Sequence, residues 1–373
     1  MKLAVHTTSL ELREPLRISR SVMSRRDAVW LRLEHDGALG HGEAVSSVYL
    51  GLSAEQAVRC LYDLAPALAR LPDPQAALAA QREGTLLPAR TPAGVAAAVD
   101  AALLDLVGKR AGKPAGHLLG NPFPEAAAVA TARTIGIVAP DRAEQQARTL
   151  ARRGFTVLKV KAGSADPAED LDRVAAVRAG AGPRSRVLLD PNGAWTVARA
   201  EELLPRFAAL GVEAVEQPTA AGAPDALARL AEHSPLPIIA DEDATGYEDA
   251  MRLAGRVQGV NIKLAKCGGA QQALRICDAL EGSGTDVMLG CLTASSLGIA
   301  PAVHLAHRAR WVDLDGHLLL AHDPWTGIGG ADGTVRAPAG PGLGVTRAPA
   351  APGGGAASPP SAHDPTRYEE APA

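Results

Sequence analysis

Arg186-Val187-Leu188-Leu189-Asp190, Val212-Glu213-Ala214-Val215-Glu216 and Leu236-Pro237-Ile238-Ile239-Ala240-Asp241 are three short apolar runs, each closed by a carboxylate, and the acids are 26 and 25 residues apart. Similar strand-sized runs flank them at 128–135, 156–160, 259–262, 286–289 and 310–312. Helix-like segments lie between them, at 141–153, 168–179 and 270–280. Eight such runs alternating with helices predict an α/β chain with a parallel sheet. The repeat of roughly 25–30 residues suits one strand–helix unit of a (β/α)₈-type barrel without its last helix. An open doubly wound sheet would alternate in the same way.

Outside this region the pattern changes. Residues 2–10 and 28–34 read as strands, 17–26 as a polar, basic loop, and 54–69 and 93–111 as helices. Strands followed by helices predict an α+β unit over 1–122, set before a barrel over 123–320. Residues 321–346 form a further segment expected to return to the first unit. The Ala/Pro/Gly-rich stretch 347–373 cannot bury enough apolar surface to offset its ordering entropy, so it reads as a disordered tail.

Composition narrows the function. The chain has 373 residues, 47% of them apolar and 3% aromatic, with a formal charge of −3. Nothing pulls it toward nucleic acid or a membrane surface, and no apolar run is long enough for a membrane span. Cys60, Cys267, Cys277 and Cys291 show no metal-type spacing, which fits a reducing cytoplasm. His304 and His307 have no acidic partner in the sequence and read as structural.

In a parallel barrel the C-terminal strand ends meet on one face. Asp190, Glu216 and Asp241 gathered there would repel one another unless a cation joined them, and an all-oxygen donor set favours Mg²⁺, with Mn²⁺ as substitute. The flanking strands end in lysine instead: Lys159 and Lys161, at i and i+2 on one strand face, and Lys263 on the other side. Lys266 competes with Lys263 but falls past the strand end. Lysines on either side of a metal suit removal of a proton α to a carboxylate and its return on the opposite face.

As an ordered set these motifs resemble the enolase superfamily, muconate-lactonizing subgroup: Lys159-Val160-Lys161, Asp190-Pro191-Asn192, Glu216-Gln217-Pro218, Ala240-Asp241-Glu242 and Ile262-Lys263-Leu264-Ala265-Lys266-Cys267-Gly268-Gly269. The resemblance implies a (β/α)₇β TIM-type barrel under an α+β capping domain. It also implies one Mg²⁺ on Asp190, Glu216 and Asp241, with Lys161 and Lys263 as the acid/base pair. Lys159 would then lie by the substrate carboxylate, Asn192 would line the site and Glu242 would support the metal acids.

Asp313 and Asp315, again at i and i+2, suit a substrate ammonium, and the pair resembles the signature of the dipeptide epimerases in this subgroup. Thr134-Ile135-Gly136 and Ser295-Ser296-Leu297-Gly298 fit the same relatives, which adds Thr134 and Ser296 to the expected substrate contacts. Leu292-Thr293-Ala294 departs from them by lacking an acid before the serines. Arg20 in the capping loop would pair with an acidic substrate side chain, with Tyr49 and Leu50 also reaching over the site. The expectation is therefore a dipeptide epimerase favouring L-Ala-L/D-Glu, in a homo-oligomer. Muconate cycloisomerase, o-succinylbenzoate synthase and N-succinylamino acid racemase would use the same metal and lysines. A retired, ligand-binding barrel would have lost one of these groups, and none is lost.

Overall fold

The computed structural model describes residues 1–121, 128–349 and 368–371. Strands Lys2–Ile18, Ser21–His35 and Ala38–Val45 form an antiparallel meander. Asp36-Gly37, both at positive φ, make the tight turn between the second and third strands. Helix Ala93–Ala111 packs across this sheet so closely that a Cβ at Gly40 or Gly42 would strike its backbone. The helix is buried nearly all round and stops at Gly112, which adopts the left-handed conformation.

The stretch 17–26 is not a loop. The first two strands continue through it as an extended hairpin, pairing Leu16 with Met23 and Ile18 with Ser21 around a two-residue turn at Ser19-Arg20. It reads as a loop because this arm projects beyond the cap core, so its alternation carries little apolar content. The arm reaches over the second unit, where the Ile137 amide donates to the Arg17 carbonyl at 2.9 Å.

The second unit is an eight-stranded parallel barrel. Its strands, first to eighth, are Ala132–Ile135, Val157–Lys161, Arg186–Asp190, Ala214–Glu216, Ile238–Ala240, Gly259–Lys263, Asp286–Gly290 and Trp311–Asp313. Ala132, Val157, Leu188, Ala214, Ile239, Met288 and Trp311 fill the interior floor. By the two-residue alternation of strands, Lys159, Asp190, Glu216 and Asp313 stand directly above that floor. Side chains stitch the seam between eighth and first strands: Asp315 accepts the Thr134 amide at 2.7 Å, and the Thr131 hydroxyl accepts the Leu314 amide at 2.9 Å.

After the eighth strand the chain returns to the cap. Leu12 bridges Leu320, Trp325 packs edge-on against Trp30, and the Leu343 amide donates to Asp105 at 2.9 Å. The expected boundary at 122–123 and most of the expected tail lie outside the described residues. Within that tail, Glu369–Glu370 pairs antiparallel with the first strand, and Tyr368 lies over His6 and His41.

Candidate active site

The barrel mouth gathers the predicted acids and lysines. Asp190, Glu216 and Asp241 are 0%, 1% and 2% exposed, on three consecutive strand ends. Lys159 Nζ lies 3.1 Å from Asp190, 2.5 Å from Glu216 and 2.8 Å from Asp313. Lys161 meets Asp190 at 2.5 Å, and Lys263 meets Asp241 at 2.6 Å and Glu216 at 3.9 Å. Lys161 and Lys263 sit on the second and sixth strands, half a turn of the ring apart. Lys266 is buried as well and also meets the Asp241 carboxylate, Oδ1 at 2.6 Å, while the Asp241 and Asn261 carbonyls accept from it at 2.6 and 2.9 Å.

Charge in this cluster is tightly matched. Burial alone would lower Lys159 and Lys263, but Asp313, Glu216 and Asp190 around the first, and Asp241 and Glu216 around the second, hold both above the usual lysine range. Burial would raise Asp190 and Asp241, yet Lys161 and Lys159 hold the first, and Lys263 and Lys266 the second, below the usual carboxylate range. Glu216 goes the other way: burial and Asp190 push it up to about 7.

Among the described residues, no three His, Cys, Asp or Glu side chains converge on a ready-made metal cage. Ammonium groups stand between the acids instead. The donor chemistry nevertheless fits a hard divalent cation. The three acids supply only oxygen, burial and Asp190 keep Glu216 raised despite Lys159, and Asn192 Oδ1 and Asn261 Oδ1 beside the acids are buried without hydrogen-bond partners. Asn192 donates to Asp190 through its backbone N–H at 2.9 Å and Asn261 Nδ2 donates to Glu216 at 2.8 Å.

The loops behind the acids are held under strain. Gln217 and Asn192 adopt positive φ of 35° and 50°, a conformation that costs on the order of 1–3 kcal/mol for such residues. Gln217 Oε1 accepts the amides of Asp241 and Asp243 at 2.9 and 3.2 Å, while its Nε2 donates to Asp243 at 2.8 Å. That network orients Glu216 and Asp241 together. Gln217 stands in the sequence only within the Glu216-Gln217-Pro218 motif, with no role of its own, and Asn261 stands in no motif. Asn261 had a signal, since it shares a strand face with Lys263, whereas the role of Gln217 depends on its backbone twist.

The hairpin arm closes one side. Arg20 pairs with Glu242 at 2.8 Å and donates to the Asn192 carbonyl at 2.9 Å, while its side chain remains 42% exposed. Tyr49 lies under the guanidinium and donates to the Glu242 carbonyl at 3.2 Å. Asp313 faces Lys159, and Thr134 meets Asp315, which also pairs with Arg133 at 2.9 Å. Ser296 is buried with its hydroxyl donated to Asp323 at 2.6 Å, and no hydrogen bond among the described residues joins it to the acid–lysine cluster.

Residues 1–120 match the mandelate racemase / muconate lactonizing enzyme N-terminal domain family, and residues 141–351 match the enolase C-terminal domain-like family. The chain is 35% identical over 350 residues to a hydrophobic dipeptide epimerase of Roseobacter litoralis, covering 92% of this chain and 98% of the relative. It is 34% identical over 315 residues to the L-Ala-D/L-Glu epimerase of Escherichia coli, covering 84% and 92%. Among solved structures, a dipeptide epimerase from Enterococcus faecalis complexed with Mg and L-Leu-L-Tyr superposes with a TM-score of 0.85 at 28% identity, covering 93% and 99%.

Proposed function

The chain belongs to the mandelate racemase/muconate lactonizing enzyme group of the enolase superfamily, and from that premise we propose that it is a Mg²⁺-dependent dipeptide epimerase. It is an isomerase that inverts the α-carbon of the C-terminal residue. The observation that carries the reading is the facing pair Lys161 and Lys263, across a barrel mouth whose intervening strands end in three buried acids. The dipeptide epimerases among its relatives, one of them complexed with Mg, support the metal and the substrate class.

Asp190, Glu216 and Asp241 would hold the cation, which would supply Lewis-acid stabilisation for the charge that develops on the substrate carboxylate. Lys159, fixed among three acids, supplies a further positive charge beside that carboxylate. One of Lys161 and Lys263 removes the α-proton, and the other delivers a proton to the opposite face. Each must be unprotonated when it acts as base. A cation among the acids would favour that state, because it takes over the counter-charge that now holds Lys263 protonated. Asp313 receives the dipeptide's ammonium with Asp315 behind it, which muconate and succinylbenzoate would leave unused. Arg20, exposed at the rim, is the group an acidic side chain would take from Glu242, which favours L-Ala-L/D-Glu.

All four cysteines are unpaired, which suits our cytoplasmic assignment. Among the described residues, no helix is long and apolar enough to cross a membrane. The deciding experiment incubates a dipeptide library with enzyme and Mg²⁺ in D₂O. Deuterium at the C-terminal α-carbon with inversion supports the reading. No exchange across the library in folded, metal-replete protein would sink it.

A further inference from the structure

Asp313 and Asp315 do not present two open carboxylates. Asp315 Oδ2 accepts from Arg133 Nη1 at 2.9 Å and from the Thr134 amide at 2.7 Å, and Oδ1 lies 3.4 Å from the Thr134 hydroxyl. Arg133 is anchored in turn on the Leu318 carbonyl at 3.1 Å. Asp313 Oδ2 accepts from Lys159 Nζ at 2.8 Å, which leaves Oδ1, buried and without a hydrogen-bond partner, as the open acceptor. Asp315 is thus matched by Arg133, whereas Asp313 shares Lys159 with Asp190 and Glu216. Arg133 lies between Ala132, in the barrel floor, and Thr134, so its side chain leaves the strand on the outer face and approaches Asp315 from behind.

We propose that Arg133 determines how strictly this site demands a free ammonium at the amino end of its substrate. The proposal rests on the epimerase reading above. An ammonium entering a buried site needs counter-charge to offset its lost hydration. With Arg133 in place it meets one open acceptor, Asp313 Oδ1, beside an Asp315 whose charge Arg133 already answers. A neutral N-acyl amide needs no counter-charge and is penalised little there. The enzyme therefore takes N-acylated amino acids alongside dipeptides, and loss of the Arg133 charge shifts it toward dipeptides alone.

The test measures kcat and KM of α-proton exchange in full-length, Mg²⁺-loaded protein. One substrate is the dipeptide that the library ranks first, and the other is the N-acetyl derivative of that dipeptide's C-terminal residue. Wild type is expected to process both within about tenfold in kcat/KM. R133Q is expected to lower KM for the dipeptide, raise it for the acetylated compound and shift the ratio by about tenfold or more, the worth of a hydrogen bond to a charged group. R133K, which keeps the charge, is expected to hold the wild-type ratio. Equal shifts in R133Q and R133K would mean that the guanidinium only braces the seam, and would overturn the proposal. Should R133Q fail to fold, the wild-type comparison decides: rejection of the acetylated compound by more than about a thousandfold overturns the role given to Arg133 while the epimerase stands. Turnover of neither substrate places the failure in the epimerase reading.

Discussion

Lys161 and Lys263 reach the site from opposite sides, so neither can serve both faces of one α-carbon. Lys161→Ala and Lys263→Ala should each lower kcat for inversion by about a thousandfold, within the range of a lost acid–base group. Each variant should still exchange the α-proton of one epimer and not the other, the two variants being opposite, as deuterium incorporation from L,L and L,D substrates would reveal. Exchange of both epimers by either variant contradicts the two-base assignment. Arg20 makes a narrower prediction. Arg20→Met should raise KM for L-Ala-L-Glu by about tenfold, while leaving L-Ala-L-Leu within twofold of wild type. The three acids and the lysines were legible because a strand end is legible: an apolar run stops and a charge follows. Arg133 was not, because its partner lies 182 residues away across the barrel seam.

At the scale of elements, buried acids from the cap are inserted into backbone of the barrel. Asp100, on helix Ala93–Ala111, accepts the Ala270 amide and Gln271 Nε2, each at 2.7 Å, at the start of helix Ala270–Leu280. Glu43 accepts the Ser295 amide at 2.8 Å and the Trp30 indole at 2.7 Å, just before helix Ser296–Val303. Burial pushes Asp100 up to about 6, above the ordinary carboxylate value, and Glu43 to about 7. A raised acid contributes stability that is fully present below its unfolded pKa and lost as pH rises through its folded one. Wild type should therefore lose about 3 kcal/mol relative to Asp100→Asn between about pH 4 and pH 6, seen as converging or crossing melting temperatures. Parallel curves would show that Asp100 does not titrate there. Helices 93–111 and 270–280 could be read from periodicity alone, with the same bounds. The hairpin arm could not, because an exposed ribbon lacks the apolar alternation that reveals a strand.

For the molecule as a whole, these struts predict that cap and barrel unfold together. Trp30 and Trp325 lie at the cap, Trp195 and Trp311 in the barrel unit. Tryptophan fluorescence and far-UV circular dichroism should give one coincident thermal transition. Two resolved steps would mean that the units are energetically separate. Because lysines already neutralise the acids at the mouth, stripping the metal with EDTA should abolish exchange without loss of secondary structure. Free Mg²⁺ at about 100 times its Kd should add about 2.7 kcal/mol of stability. The barrel is legible as eight repeating runs, whereas its closing seam is not, because it is built from Thr131, Thr134 and Asp315 rather than from a ladder.

Glu369–Glu370 covers part of the outer edge of strand Lys2–Ile18, opposite Ala4 and Val5. An uncovered edge of that length is a template on which other chains can add strands, and natural sheets guard against it. The two consecutive glutamates bring negative charge to the place where a foreign strand would dock, so they are expected to guard solubility. A chain shortened before Tyr368 should keep its proton-transfer chemistry, yet form concentration-dependent aggregates that bind amyloid dyes, with light scattering as the readout. A shortened chain that stays monodisperse would assign that protection to other residues.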